Sequence, residues 1–202
     1  MTNVEWLFVL VQVPAEPSKH RVAVWRELRK AGAVPVSQGV WALPAAPAFE
    51  PSVERVRQLC VQGGGLAAVF DAAPREPGSE ELVRSAYAAA RGNEWSEFLG
   101  DCAKFQAEIE REVTQGKFTF GELEEEEQSL DRLRRWFREL RRRDVLGLPA
   151  GETAAAALRA CEEALEAFAE EVYTVAHRSA PAIDLGAGPA PDAFATKEGN
   201  TP

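Results

Sequence analysis

Cysteine is scarce in this 202-residue chain, and histidine is scarcer. Cys60, Cys102 and Cys161 are odd in number, and no two stand at C-x-x-C spacing. That excludes a disulfide framework or a cysteine-based zinc site, and it points to a reducing, cytoplasmic setting. His20 and His177 are far apart, with no further ligand at metal spacing, so no metal is expected. No Ser/His/Asp trio can be assembled. The run Gly63-Gly64-Gly65 follows a helical pattern and precedes a strand pattern, the reverse of a phosphate-cradling loop, so it reads as a turn and no cofactor is expected. The apolar stretch Trp6 to Val13 contains Gln12 and is too short to cross a bilayer. Met1 leads directly to acidic Glu5 without a basic segment, so neither a secretory leader nor a membrane partner is expected.

What is present is acid and apolar residue. The chain has 32 carboxylates against 23 lysines and arginines, a net charge of −9, and 46% hydrophobic residues. That is enough for a core, in one domain of average size or a small domain with a helical extension. Phosphate backbones repel such a chain overall, which leaves nucleic-acid binding only to a local basic patch.

Residues 4 to 70 read as strand, helix, strand, strand, helix, strand. Val4 to Val13 is a strand at the sheet centre, stopped by Pro14 and Pro17. Ser18 suits the N-cap of a helix with Val22, Trp25 and Leu28 on one face and Gly32 as its stop. Ala33 to Gln38 and Gly39 to Leu43 form a hairpin around Ser37–Gly39. Pro47 and Pro51 open a second helix with a Val53, Val56, Leu59, Cys60 stripe, and Leu66 to Phe70 is the fourth strand.

Beyond Pro77 the periodicity is helical. Stripes run through Phe98, Cys102, Phe105, Ile109 and Val113, then Leu123, Leu130, Leu133, Phe137 and Leu140, then Leu158, Cys161, Leu165, Phe168, Val172 and Val175. Breaks at Gly116–Gly121 and Gly147–Gly151 make neighbouring helices antiparallel, and Gly92 and Gly100 threaten to break the first. The fold class is therefore α+β: a ferredoxin-like βαββαβ sheet over 1–76, an antiparallel helical bundle over 77–177, and a Pro/Gly/Ala tail over 178–202 expected to be disordered.

Few groups offer chemistry, and no catalytic residue is nominated. Ser18, Lys19, His20 and Arg21, with Arg26 beyond, put cations at a helix N-terminus that already carries partial positive charge. An oxyanion held by free N–H groups is one reading. Solvated charges paired with Glu16 and Glu27 are the other. Arg132, Arg134, Arg135, Arg138, Arg141, Arg142 and Arg143 form a second cluster, of which Arg134, Arg135, Arg138 and Arg142 are candidate nucleic-acid contacts. Glu122 and Glu124 to Glu127 begin the same helix, so compensation of the helix dipole competes with that reading. The cysteines lie in apolar stripes and read as small hydrophobes, and the carboxylates read as solubilising charge. Trp25 and Trp41 read as covers for the sheet core, with an aromatic ligand pocket as the alternative.

The segments Val9–Pro14, Ser18–Leu28, Gly32–Val34, Gln38–Pro44, Gly63–Gly65, Glu97-Phe98, Phe105, Glu108–Glu112, Gly116–Phe120, Glu122–Glu124 and the Trp136 region resemble the N-terminal domain of the chromate-resistance regulator ChrB, over roughly residues 5 to 175. The resemblance implies a bacterial cytoplasmic regulatory or accessory protein of chromate resistance, without catalysis, that acts through partner or operator-DNA binding modulated by an oxyanion such as chromate. The resemblance implies a C-terminal domain in full-length members; this chain is expected to be without one, which makes a separately encoded C-terminal ChrB-like domain an expected partner. An exposed sheet edge or face would favour a homodimer. A chromate-reducing or other small-substrate activity between sheet and helices is the alternative. The sheet is also similar to the middle domain of the phenylacetate-responsive repressor PaaX. A related CRISPR-associated ribonuclease ends its first strand on an acidic residue, where this chain has Val11-Gln12-Val13-Pro14. That departure disfavours a metal-dependent nuclease.

Overall fold

The computed structural model describes residues 4–179. Its elements are β1 (Trp6–Gln12), α1 (Ser18–Ala31), β2 (Val34–Ser37), β3 (Val40–Pro44), α2 (Glu50–Gln62), β4 (Leu66–Ala72), α3 (Pro77–Gln115), α4 (Phe120–Arg143) and α5 (Pro149–Ser179), with a single 3-10 turn at Pro47–Phe49 before α2. The protein is α+β. One four-stranded sheet has the order β2-β3-β1-β4, and every neighbouring pair is antiparallel. The expected tail lies outside the described residues from position 180 onward, and α5 runs through 178 and 179.

The pleat explains the two faces of the sheet, because alternate residues point to opposite sides. Val9, Trp41 and Leu43 meet Val24 and Leu28 of α1 and Val56 and Cys60 of α2 in one core. Trp6, Val34 and Ala42 face the other way and meet Val83 and Tyr87 of α3. Two glycines let the chain pass close to the end of β1. A Cβ on Gly65 would lie 2.0 Å from the carbonyl oxygen of Gln12. Gly39, at φ 74°, would place one 2.8 Å from the carbonyl of Val11, whose N–H it accepts at 2.7 Å.

Helices α3, α4 and α5 enclose a separate core that includes Phe98, Cys102, Phe105, Leu130, Cys161 and Phe168. Ion pairs Arg134–Glu162 and Arg141–Glu152 set α5 antiparallel to α4. Thr119 caps α4 by accepting the N–H of Glu122 at 3.2 Å. Gly92 and Gly100 do not break α3, which is continuous over 39 residues, because packing against α4 and α5 outweighs a local cost of about 1 kcal/mol per glycine. Val113, expected in the α3 stripe, is 45% exposed. The residue before it, Glu112, is buried instead, in line with Ile109 one turn earlier.

Candidate functional site

Helix α1 concentrates positive charge on an acidic chain. Its 14 residues include Lys19, Arg21, Arg26, Arg29 and Lys30 against a single carboxylate, Glu27. Arg29 and Lys30 in the last turn suit the helix dipole, whereas Lys19 and Arg21 in the first turn oppose it. The helix start corrects one expectation. Pro17 occupies the cap position, Ser18 is already helical, and no side chain caps the first turn. The ring of Pro17 presets the backbone but has no hydroxyl, so the N–H groups of Ser18 and Lys19 have no side-chain acceptor.

Ser18, Lys19, Arg21 and Arg26 are exposed, and His20 is half-buried. The five do not converge. His20 turns toward the Gly63 turn, where a Cβ would come within 2.8 Å of its own Cβ. Arg21 instead joins residues from the end of β1 and from the β2–β3 turn. A concavity of about 500 Å³ is lined by Val11 and Gln12 of β1, Val13 just after it, the Gln38–Gly39 turn, Trp41, and Arg21, Trp25 and Leu28 of α1. Trp41 is buried on the α1–α2 side of the sheet, as expected. Trp25 is not: it is 52% exposed, and the guanidinium of Arg29 stands 5.9 Å from its ring centroid. The core face of α1 is Val24, Leu28 and Ala31, one residue out of phase with the expected Val22–Trp25–Leu28 stripe, and this turns Trp25 to solvent. An exposed tryptophan between arginines one turn away on each side presents a π-face within a cationic strip.

Helix α4 supplies the second cluster. Arg134 is held by Glu162 at 2.8 Å and by Asp131 at 3.4 Å, which turns it into a brace between α4 and α5. Arg135, Arg138 and Arg142 are exposed and spaced three and four residues apart, so they share one helix face. Arg141 pairs with Glu152. Grooves of about 570 and 580 Å³ flank α4, and the cations in their walls, Arg134, Lys104 and Arg132, bond to neighbouring wall residues Glu162, Asp101 and Ser129.

The two basic helices meet at their C-terminal ends, through a buried polar joint that sequence reasoning missed. Arg91 of α3 is 4% exposed, donates to the carbonyl of Gly32 at 2.7 Å and pairs with Glu94 at 2.9 Å. Its guanidinium lies 4.7 Å from the ring centroid of Tyr87, whose hydroxyl donates to the carbonyl of Arg143. Arg143 in turn donates to the carbonyl of Lys30 at 3.3 Å and lies 3.6 Å from Glu94. Trp95 donates to Asp144 at 2.9 Å, just beyond α4. These contacts tie the last turns of α1 and α4 together through Arg143. Burial raises the Tyr87 hydroxyl above its usual range, against the lowering influence of Arg91.

Not all carboxylates lie on polar faces, which corrects another expectation. Glu112 is 1% exposed at the end of α3. Burial acts to raise its pKa, but hydrogen bonds and charge from Lys117 and Arg111 hold it below the usual range. Glu126 is buried without such a cation. Desolvation, then the carboxylates of Glu108, Glu112, Glu122 and Glu125, push it up. Cys60, Cys102 and Cys161 are all buried free thiols. Burial raises Cys60. A hydrogen bond with Cys161 and burial together raise Cys102, and Cys102 holds Cys161 down, so the two act as a core pair. Among the described residues no group of three or more His, Cys, Asp or Glu side chains is placed to hold a metal, and no helix is long and apolar enough to cross a membrane.

Comparison with known proteins gives one assignment. The family described as Protein ChrB, N-terminal, matches residues 21–179, which include most of α1 and everything from there to the end of α5. No curated protein and no solved structure matches the chain.

Proposed function

The chain belongs to the ChrB N-terminal family, which ties it to the regulation of chromate resistance rather than to a known enzyme family, and from that premise we propose that it contacts operator DNA through the basic face of α1. The observation that carries the reading is charge placement. On a chain of net charge −9, α1 gathers five cations and an exposed Trp25, and the exposed Arg135, Arg138 and Arg142 lie on α4, whose last residue, Arg143, bonds to the end of α1. Phosphates would contact the arginines and lysines, while the concavity beside Trp25 would receive a sugar or base edge. The burial of all three thiols supports a non-enzymatic role.

The element order and the β2-β3-β1-β4 strand order support reading the sheet as ferredoxin-like, and the alternating contacts of α3, α4 and α5 support an antiparallel bundle. The uncapped start of α1, with Lys19 and Arg21 exposed beside it, supports an oxyanion such as chromate as the modulating ligand. A separately encoded C-terminal ChrB-like domain is the protein partner we propose.

The test is a fluorescence-anisotropy titration of the protein with its own labelled upstream region. Binding is expected at about 50 mM salt, with a loss of at least ~10-fold by about 200 mM. Arg21→Ala and Arg29→Ala should each lower the salt slope by about one. No binding at low salt, or binding that both variants retain with an unchanged slope, overturns the reading. Repeating the titration with chromate and with sulfate present tests the oxyanion branch.

A further inference from the structure

Strand β4 is an open edge. It pairs with β1 on one side only, and among the described residues no strand lies beyond it. Leu66 is 55% exposed, Phe70 53% and, on the adjoining strand, Leu10 37%. Register puts Phe70 beside Phe8 and Ala68 beside Leu10, so these side chains lie on the sheet face that also carries Trp6, Val34 and Ala42. Helix α3 covers Trp6, Val34 and Ala42, and leaves the β4 side of that face bare. A seven-residue edge strand with exposed leucine and phenylalanine is costly to leave in water, because its unpaired N–H and C=O groups can pair with another strand.

We propose that a second copy of this chain docks there, β4 against β4 in antiparallel register about Ala68, forming one continuous eight-stranded sheet. The sequence of the edge supports self-pairing. A two-fold axis at Ala68 sets Leu66 opposite Phe70 twice, Ala67 opposite Val69 twice, and Ala68 opposite itself. The one charge on the strand, Asp71, then faces Gly65, so two acidic copies meet without opposed carboxylates. Shifting the axis to Val69 would put Phe70 opposite Ala68 and Leu66 opposite Ala72, which separates the two large side chains. The pairing places no α1 residue at the contact, and it stands whether or not α1 binds DNA.

Sedimentation analysis of the full chain should give twice the 22.1 kDa of one chain at micromolar concentration. Phe70→Lys should give a monomer with unchanged helical circular dichroism. Because a lysine there could also perturb the fold, register is read separately. Ala68→Cys, under mild oxidation of the native protein, should cross-link to a disulfide dimer. Val61→Cys, 70% exposed on α2, should not cross-link. A monomeric wild-type chain, or a dimer in which Ala68→Cys fails to cross-link, overturns the proposal.

Discussion

Replacing Arg91 by methionine tests the joint between the sheet and the long helices. Methionine retains much of the arginine stem's volume, so cavity formation contributes little. What is lost is the donor to the Gly32 carbonyl at 2.7 Å, the pair with Glu94 at 2.9 Å, and the stacking over Tyr87 at 4.7 Å. Breaking a buried ion pair by removing one partner costs about 3–5 kcal/mol. The lower end applies here, because the Glu94 side chain retains 20% exposure and still has Arg143 at 3.6 Å. The cation–π contact and the stranded carbonyl each contribute about 1 kcal/mol, but they share the same side chain and do not add fully. The expected loss is about 3–4 kcal/mol, or a fall in Tm of about 6–16 °C for a chain of this size. Urea unfolding followed by circular dichroism measures it. Arg91→Met combined with Glu94→Gln should recover about 1 kcal/mol relative to Arg91→Met alone, because in the single variant the mostly buried Glu94 carboxylate keeps only the longer, 3.6 Å contact with Arg143. Lys104→Met, which removes a surface pair with Asp101, should stay within about 0.5 kcal/mol. A cost below about 1 kcal/mol for Arg91→Met, with no recovery in the double variant, refutes the account of the joint.

Two further outcomes follow from burial and close approach. Glu126 has a folded pKa above its unfolded value, so the native state holds an extra proton between the two, and stability falls as pH rises through that window. Glu126→Gln should therefore raise Tm at pH 7 and leave it nearly unchanged at about pH 4, near the unfolded carboxyl value, as thermal melts at the two pH values would show. Gly65→Ala should cost more than about 1 kcal/mol in urea unfolding, because its new methyl would sit 2.0 Å from the Gln12 carbonyl oxygen and the strand ends must separate.

Periodicity and punctuation carried most of the architecture. Proline and glycine at positions 14, 17, 32, 47, 51 and 63–65 bracket elements that the structure places within a few residues of their expected bounds. The apolar stripes of α4 and α5 match their buried faces at Leu123, Leu130, Leu133, Leu140, Leu158, Cys161, Leu165, Phe168 and Val172. Phase in α1 was harder to read. Val22, Val24, Trp25 and Leu28 fit two stripes one residue apart, and only the sheet beneath decides that Val24 packs inward while Val22 and Trp25 do not. Arg91 shows in the sequence only as an ordinary i,i+3 pair with Glu94, because the other acceptors of Arg91 and Tyr87 are peptide carbonyls more than fifty residues away, and a carbonyl leaves no mark in a sequence. Glu112 and Glu126 stood among many carboxylates, and only the turn that brings Lys117 back to Glu112 separates the compensated acid from the uncompensated one.

The joint's acceptors are main-chain oxygens of Lys30, Gly32 and Arg143, so substituting side chains at the receiving positions cannot delete them. The side chains that make these bonds are the donors Tyr87, Arg91 and Arg143. Loosening the joint by substitution therefore means changing those three, while the exposed side chains of α1 can be altered without touching it.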